Sequence, residues 1–546
     1  MDDYDVIVVG AGAAGAPVAA RLSEDPGRTV LLIEAGPDVR RAEDYPFELR
    51  AVSMMSAAMP SHPNNWAFPG QLTPDLGYNV ARGRILGGST ALNGAYFVRA
   101  RKVDTDRWQS LGNNEWAFEK VLPYFIKLEK DLTYGNGPGH GGDGPVPVNR
   151  ITENTSEFTQ AFYAAAEELG FRYEADKNDM TSNEGYGPLT QNSVDGLRMS
   201  TALTYLSPVR DHRPNLTIRT RTFVRRIVLE GARAVGVEVG RRRRGTVIRG
   251  AQVILCGGAI KSPHMLLLSG IGPAAELERA GVTVVHDLPG VGKGFTDHPD
   301  ILVNFATRKR IDDPSLKQLF EGVLAFTSPG SPTPGDLEIL PMLRPFIRSV
   351  FGPSMRGLMS MGMRPIQTMR GMKGSPLMRN VDQLLHAGGY NLVVGVQQAQ
   401  SRGTLTLMSA DPTVYPRLEY HYLSEERDRA RMRHLLRTAA DLVRTSAFRP
   451  YFPRLTEISQ KILDSDAKLD AWARYRLGTA IHTAGSARMG APDDPGAVVD
   501  QSGRVHGIEG LRVVDTSILP DVPSRGPAAT TVMVGEKIAD EIRKEG

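Results

Sequence analysis

Residues 4–22, YDVIVVGAGAAGAPVAARL, constrain this chain more than any other stretch. A buried apolar strand over residues 5–9 runs into Gly10, Gly12 and Gly15, and an alanine-rich helix follows. In such a strand-turn-helix the first glycine permits the tight turn. The second lets a pyrophosphate approach the main chain, and the third lets helix pack on strand. Phosphate oxygens would meet the free N–H groups of Ala13, Ala14 and Gly15, where the helix dipole favours negative charge. A glycine pattern alone is common, but this one has its context. The next strand, TVLLIEAG, ends at Glu34 and Ala35, nineteen residues beyond Gly15, where a carboxylate can accept hydrogen bonds from ribose hydroxyls. A phosphate on that ribose would call for a basic residue instead. A dinucleotide lacking it is predicted, and this stretch does not choose between flavin and nicotinamide.

A chain of 546 residues is too long for one simple core, so two intimately packed domains are expected. Hydrophobic residues make up 41% and charged residues 23%, as in ordinary soluble proteins. The net charge of +4 comes from 65 basic against 61 acidic residues, a near balance that gives no argument for nucleic acid. The densest basic cluster, Arg241 to Arg244, sits between two apolar runs and reads as the solvated tip of a hairpin. Cys256 is the single cysteine, which excludes an internal disulfide and fits a reducing compartment. It lies in the apolar run VILCGGA, so burial is expected. No apolar run approaches about 18 residues, and the N-terminus enters a strand with no room for a leader. Cytoplasmic residence is the expectation.

Two longer segments narrow the cofactor. GRILGGSTALNGAYFVRARKVDTD, residues 83–106, and GAIKSPHMLLLSGIG, residues 258–272, resemble the two signatures of the glucose-methanol-choline (GMC) flavoprotein oxidoreductases. Weaker similarity continues in LPGVGKGFTDHP at 288–299, in residues 401–428, and in HTAGSARMG and LRVVDTSILP near the end. The resemblance therefore runs from the first strand to the last helix, and the wording is most similar to bacterial alcohol dehydrogenases and aryl-alcohol or hydroxymethylfurfural oxidases. It implies an α/β fold: a Rossmann-like FAD-binding domain, residues 1–150 with 215–300 and 488–546, interleaved with an α+β substrate domain on an antiparallel sheet, residues 151–214 with 301–487. It implies FAD contacts from Arg84, Leu86, Gly87, Gly88, Asn93, Gly94 and Ala95 in the first signature. Val224 in the adenine-covering hairpin, Gly257 in the second Gly-Gly turn and Asp515 in the ribityl segment complete the set. The helix after that turn is expected to be capped near Ser262. Some relatives tether FAD through a histidine directly before the Asn; here that position is Leu92, which implies FAD held without a covalent link.

Alcohol oxidation by a flavin needs a hydride acceptor and a base for the hydroxyl proton, and a neutral histidine suits the second task. Among the eleven histidines, His482, in LGTAIHTAGSARMG, matches the family's catalytic histidine. His298, in TDHPD, is family-like and reads as structural. No set of histidines shows zinc-ligand spacing, so no metal is expected. Relatives carry a second His or Asn just before the threonine that opens the last helix, and in SRGPAATTVMVGEKIAD that position is Ala528, which cannot hydrogen-bond through its side chain. Three readings follow. His482 suffices, with Arg525, Ser524 or water filling the gap; or the residue has been replaced to give an inactive form; or the protein has moved to another flavin reaction of the superfamily, a lyase or a photodecarboxylase. Thr530 and Thr531 are expected to start the last helix and aim its positive end at the flavin.

Residues 341–379 contain no acid, many arginines and repeated methionines. They are expected to form a broken flap of the substrate domain or, on the rival reading, a contact for a membrane surface or a redox partner. No acid stands out as a partner for a quaternary ammonium, so the sequence leans to a hydrophobic primary alcohol over choline. Oxygen and a quinone or redox partner remain open as electron acceptors.

Overall fold

The computed structural model describes residues 3–545 except 154, 183, 241–244, 310, 312–316, 352–388 and 452. Seven strands form the first sheet. Leu216–Arg219, Val30–Ile33, Asp3–Val9, Thr246–Leu255, Arg233–Val239 and Val224–Glu230 lie side by side in that order, and Leu511–Val513 pairs with Thr246–Leu255. The pairings through the opening strand are parallel, whereas the last three strands of the row form an antiparallel meander. Val6, Ile7, Val8, Leu31 and Leu32 are buried on whichever face they point to, which is why these strands read as unbroken apolar runs.

The second large sheet is antiparallel throughout. Arg454–Leu455, Pro299–Ala306, Tyr390–Val396, Leu337–Met342, Gly322–Phe326 and Gly185–Pro188 follow one another, and Gly478–Thr479 pairs with the start of Pro299–Ala306. The helix Glu426–Arg444 covers it, burying Leu435, Leu436, Ala439 and Leu442 on one face. A smaller five-stranded sheet draws Phe68–Thr73, Leu76–Val80 and Lys293–Phe295 together with Gly403–Thr406 and Arg417–Glu419. Segments distant in sequence are thus stitched into both halves. No described helix is long and apolar enough to cross a membrane.

Two helix starts differ from the sequence expectation. The helix Gly258–Leu268 begins four residues before Ser262. Pro263 lies within it and has no N–H for the carbonyl of Ala259; that carbonyl instead accepts the Ser486 hydroxyl at 2.5 Å. Ser262 still serves the turn, since its Oγ accepts the Gly257 N–H at 2.9 Å and donates to Asp515 at 2.6 Å. The last helix opens at Ala528, ahead of Thr530 and Thr531, because the Thr531 N–H and hydroxyl both reach the Pro527 carbonyl, at 2.8 and 2.7 Å. The Arg241 to Arg244 tip and residues 352–379 of the expected flap lie outside the described residues. Before them, residues 341–351 comprise the end of the strand Leu337–Met342 and the helix Phe346–Phe351.

One polar cluster was not foreseen. Ligand-type atoms of Glu129, Asp131 and His140 lie within 4.8 Å of one another. Arg99 pairs with Glu129, Arg150 bonds Asp131 at 2.7 Å, and His140 Nε2 bonds Asp176 at 3.0 Å. Three carboxylates thus face two guanidiniums and one imidazole, so a protonated His140 closes the charge balance without an ion. Burial opposes that charge, but the bonds to Asp131, Asp176 and Glu129 prevail and raise the imidazole to about 10. Because the folded value lies above the unfolded one, this contribution is complete below about pH 6.5 and disappears as pH rises through about 10. In denaturant titrations His140→Leu should cost about 3 kcal/mol at pH 7, and the gap from the parent should shrink as pH rises through about 10.

Candidate active site

A continuous cavity of about 410 Å³, measured as the space open to water centres, runs between the glycine turn and the antiparallel half. Gly10, Gly12, Ala13, Ala14, Glu34, Ala35, Gly88, Asn93, Gly94, Val224, Gly257, Asp515 and Thr531 all line it, and so do His482 and Ala528. The shape of the turn explains why glycine is required at two places. A methyl carbon on Gly15 would sit 1.8 Å from the Gly10 carbonyl oxygen, inside the strand-helix contact. Gly88, at φ +53°, would bring one to 2.7 Å from the Gly12 Cα, closing the gap between the two glycine loops.

Six residues expected at the cofactor do not reach the cavity wall. Gly15 is consumed by the packing just described. Gly87 faces Ser200 and Ala202, and Leu86 is fully buried in the core. Arg84 turns away to the Pro63 carbonyl at 2.8 Å and over the Trp66 ring. Ala95 is buried at φ +57°, with its N–H on Asn93 Oδ1. Thr530 is buried behind Thr531.

At the dinucleotide end, Glu34 Oε2 accepts the Ala11 N–H at 3.1 Å and Oε1 the Gly36 N–H at 2.7 Å. Burial pushes its carboxyl up to about 7 despite those donors. Asp515 accepts Gly258 N–H, the Ser262 hydroxyl and both polar groups of Ser517. Burial raises it as well, though these four bonds oppose the shift. Lys261 also lines this cavity, its Nζ 5.2 Å from the Trp66 ring centroid and 5.5 Å from that of Phe223; burial lowers it to about 8. The loop amides, the glycine cradle and the buried acid beside it fit the phosphates and ribose of FAD.

The other end is built around His482. Its preceding residue, Ile481, sits at φ +63°, a conformation that costs a β-branched residue roughly 1–3 kcal/mol. Arg82 holds the Ile481 carbonyl at 2.7 Å, and Asp297 Oδ1 takes the His482 N–H at 2.7 Å. His482 Nδ1 lies 2.9 Å from His298 Nδ1, so His298 is a direct partner of His482 as well as part of the scaffold. Burial, then the neighbouring His298 and Arg82, pull His482 well below the ordinary histidine value. A methyl carbon on Gly526 would lie 3.6 Å from His482 Nε2 and 3.5 Å from Tyr96 Cδ1, so the base edge and the tyrosine ring flank the same space. Phe320 stands against Gly94 on the same wall.

Ala528 leaves its position apolar, and neither proposed substitute takes over. Ser524 bonds Asp104 through its N–H and hydroxyl, each at 2.9 Å. Arg525 is fully buried near Glu174. Tyr96, Phe320, Arg82 and Asp297 were missed from sequence. Tyr96, inside the 83–106 signature, and Asp297, inside TDHP, lay in recognisable segments.

Models of the family described as GMC oxidoreductase match residues 4–300 and 399–535. An uncharacterized GMC-type oxidoreductase of Rhodococcus erythropolis is 39% identical over 542 residues, covering 98% of this chain and 97% of the relative. Oxygen-dependent choline dehydrogenase 1 of Chromohalobacter salexigens is 36% identical over 556 residues, with 99% and 95% covered. Among solved structures, pyridoxine 4-oxidase from Mesorbium loti superposes with a TM-score of 0.84 at 27% identity, covering 99% of each chain.

The Glu34 geometry carries a test. An ionised carboxylate is the stronger acceptor for ribose hydroxyls, so FAD titrated into apoprotein should bind more weakly as pH falls through about 7. Glu34→Gln should weaken binding about tenfold to a hundredfold and flatten that pH dependence, as read by flavin fluorescence.

Proposed function

This chain belongs to the GMC oxidoreductase family and acts on CH–OH donors, and from that premise we propose that it oxidises a hydrophobic primary alcohol to the aldehyde with FAD held non-covalently. The observation that carries the reading is the His482 ring edge on the cavity beside Tyr96, with burial holding that imidazole well below the ordinary histidine value. FAD bound along the cavity would supply the flavin N5 that accepts the hydride. The protein's own part is positioning and proton handling.

The hydroxyl of R–CH2–OH would lie against His482 Nε2, which takes the O–H proton as the C–H bond gives up its hydride. The C–O bond becomes C=O, and proton and hydride leave in different directions. A base already neutral in its resting state needs no prior deprotonation at working pH. The fold of the turn fixes where that nitrogen points, because Asp297 and Arg82 grip the main chain on both sides of it.

Substrate character follows from the wall. Glu34 and Asp515 are the carboxylates among the described lining residues, and each is engaged at the dinucleotide side. Tyr96, Phe320, Leu319, Pro527 and Ala528 give the lining apolar surface, and its charged side chains apart from those two acids are the cations Arg82 and Lys261. That surface suits an uncharged, apolar or aryl alcohol better than a quaternary ammonium. Leu92 lines the cavity where some relatives have the tethering histidine, which supports a cofactor released intact on acid precipitation.

Anaerobic mixing with a panel of primary alcohols should bleach the flavin, fastest for aryl and long-chain members, with choline slow. Readmitting air or adding a quinone then identifies the acceptor. His482→Ala should slow reduction about 10²-fold to 10⁴-fold, while Ala528→Asn, by restoring a donor to the substrate oxygen, should speed it by about tenfold or more. If no alcohol bleaches the flavin in the parent or in Ala528→Asn, the alcohol reading fails.

A further inference from the structure

We infer that His298 sets the tautomer of His482: its ring, pinned by the Pro523 carbonyl, accepts the Nδ1 proton of His482 and so leaves the Nε2 lone pair of His482 facing the cavity. The inference rests on the alcohol-oxidation reading for its kinetic consequence, but the proton positions stand independently of it.

The Pro523 carbonyl fixes the first proton. His298 Nε2 is 3.0 Å from the Pro523 carbonyl oxygen. A carbonyl only accepts, so that nitrogen carries the proton. A neutral imidazole then has a bare lone pair on its other nitrogen. His298 Nδ1 is the nitrogen that meets His482 Nδ1 at 2.9 Å. For the contact to be a hydrogen bond, His482 must donate from Nδ1, and neutral His482 is left with its lone pair on Nε2. The same rule that fixes tautomers in metal and protease sites here runs through a second histidine.

The alternative is a doubly protonated His298, which would reverse the roles and place the proton of His482 on Nε2, the wrong side for a base. The charged groups around the pair argue against it. His298 is fully buried; burial holds it down, to about 4, against the Pro523 carbonyl, Asp104 and the Gln397 carbonyl, which favour its charge, while Arg107 also opposes it. Asp297 engages the main chain of both histidines, Oδ1 accepting their backbone N–H groups and Oδ2 the Thr483 hydroxyl at 2.7 Å. Arg82 reaches Thr483 Oγ1 at 2.9 Å and adds positive charge beside His482. Among the described residues the hydrogen-bond partner of His482 Nδ1 is His298 Nδ1, so the His482 Nδ1–H has His298 as its acceptor. His298 is not among the residues that line the cavity and is therefore a positioning residue.

A neutral acceptor differs from the carboxylate of a protease triad in one measurable way. It orients the base without adding the negative charge that would raise its pKa. The wild-type flavin reduction rate should then be flat from pH 6 upward, by the sign that a lowered base pKa gives.

The test uses the purified holoprotein labelled with 15N-histidine, with His482→Gln to assign the His482 signals. Expected are a protonated Nδ1 and a bare Nε2 on His482, and the proton of His298 on Nε2. His298→Leu should release the tautomer, so that Nε2-protonated His482 becomes populated and flavin reduction slows about 10²-fold or more, with the substrate concentration at half-maximal rate little changed. His298→Asp keeps an acceptor and adds a charge. It should retain the tautomer and move the pH midpoint of reduction up by about 1–3 units, a shift that a purely structural contact would not produce. Flavin content and melting temperature check folding. Should His298→Leu not fold, the wild-type spectrum and His298→Asp decide. A wild-type His482 protonated on Nε2, a doubly protonated His298, or a His298→Asp profile with an unmoved midpoint overturns the inference. If no alcohol reduces the flavin, the spectra still settle the proton positions, so that failure belongs to the alcohol reading alone.

Discussion

The cavity exists because two main chains touch where side chains would keep them apart. The opening glycine turn and the loop at residues 87–88 meet with the Gly87 N–H on the Ala11 carbonyl at 2.8 Å. Thr201 donates its hydroxyl to the Gly12 carbonyl at 3.2 Å, and its Oγ1 lies 3.1 Å from Thr90 Oγ1. That contact ties residues 11–12, 87–90 and 201 into one wall. Everything that faces the wall, from Glu34 at one end to His482 at the other, takes its position from elements anchored to it. A side chain at Gly88 would part the loops and dissolve the site while leaving both large sheets intact, since neither sheet runs through this contact.

Low polarizability inside this space explains the charge pattern as a whole. The buried acids Glu34 and Asp515 are pushed up by burial, and the buried imidazoles His298 and His482 are pushed down by it. Each shift moves the group toward its neutral form, as desolvation requires. The consequence differs by end. An acid brought to about 7 is poised to ionise when ribose hydroxyls come to it. A histidine held neutral is poised to take a proton. The strained main chain at Ile481 belongs to the same design, for it turns the imidazole outward, and the bonds from Arg82 and Asp297 offset its cost.

How much of this was legible depended on whether the physics is local. The nucleotide turn was readable because only glycine allows those approaches, and Glu34 because a strand end fixes its distance from the turn. The antiparallel partner sheet was also readable through resemblance. Spacing could not tell a residue that lines the cavity from one that supports it. Gly15, Arg84, Leu86, Gly87, Ala95 and Thr530 all stand in the right segments yet spend themselves on packing or on other partners. Ser262 looked like a helix cap and instead joins the turn to Asp515, because the helix extends four residues further back. Tyr96, Phe320 and the His298 contact arise from pairings between residues hundreds of positions apart, and no local pattern announces them.

The missing side chain at Ala528 gains its meaning from what lies behind the wall. Arg525, three residues earlier, does not turn into the cavity. It is fully buried with Glu174 at 3.8 Å and with Tyr96 and Glu338 acting on its charge. Tyr96 donates its hydroxyl to Glu338 at 2.7 Å, so the polar end of the ring is committed to this layer and its carbon face is left to the cavity. The layer therefore removes polar groups from the substrate end even as it fixes the ring that forms the wall. On the proposed alcohol reading, with Ala528 apolar and Ser524 held by Asp104, the grip on a substrate hydroxyl would fall mainly to His482, and orientation to contact with Tyr96 and Phe320. Flat apolar contact positions a substrate with a large carbon body better than a small one, because it is proportional to the area buried. Loss of the second hydrogen-bonding residue and an aromatic, acid-free wall thus point the same way: toward alcohols held by their carbon frame.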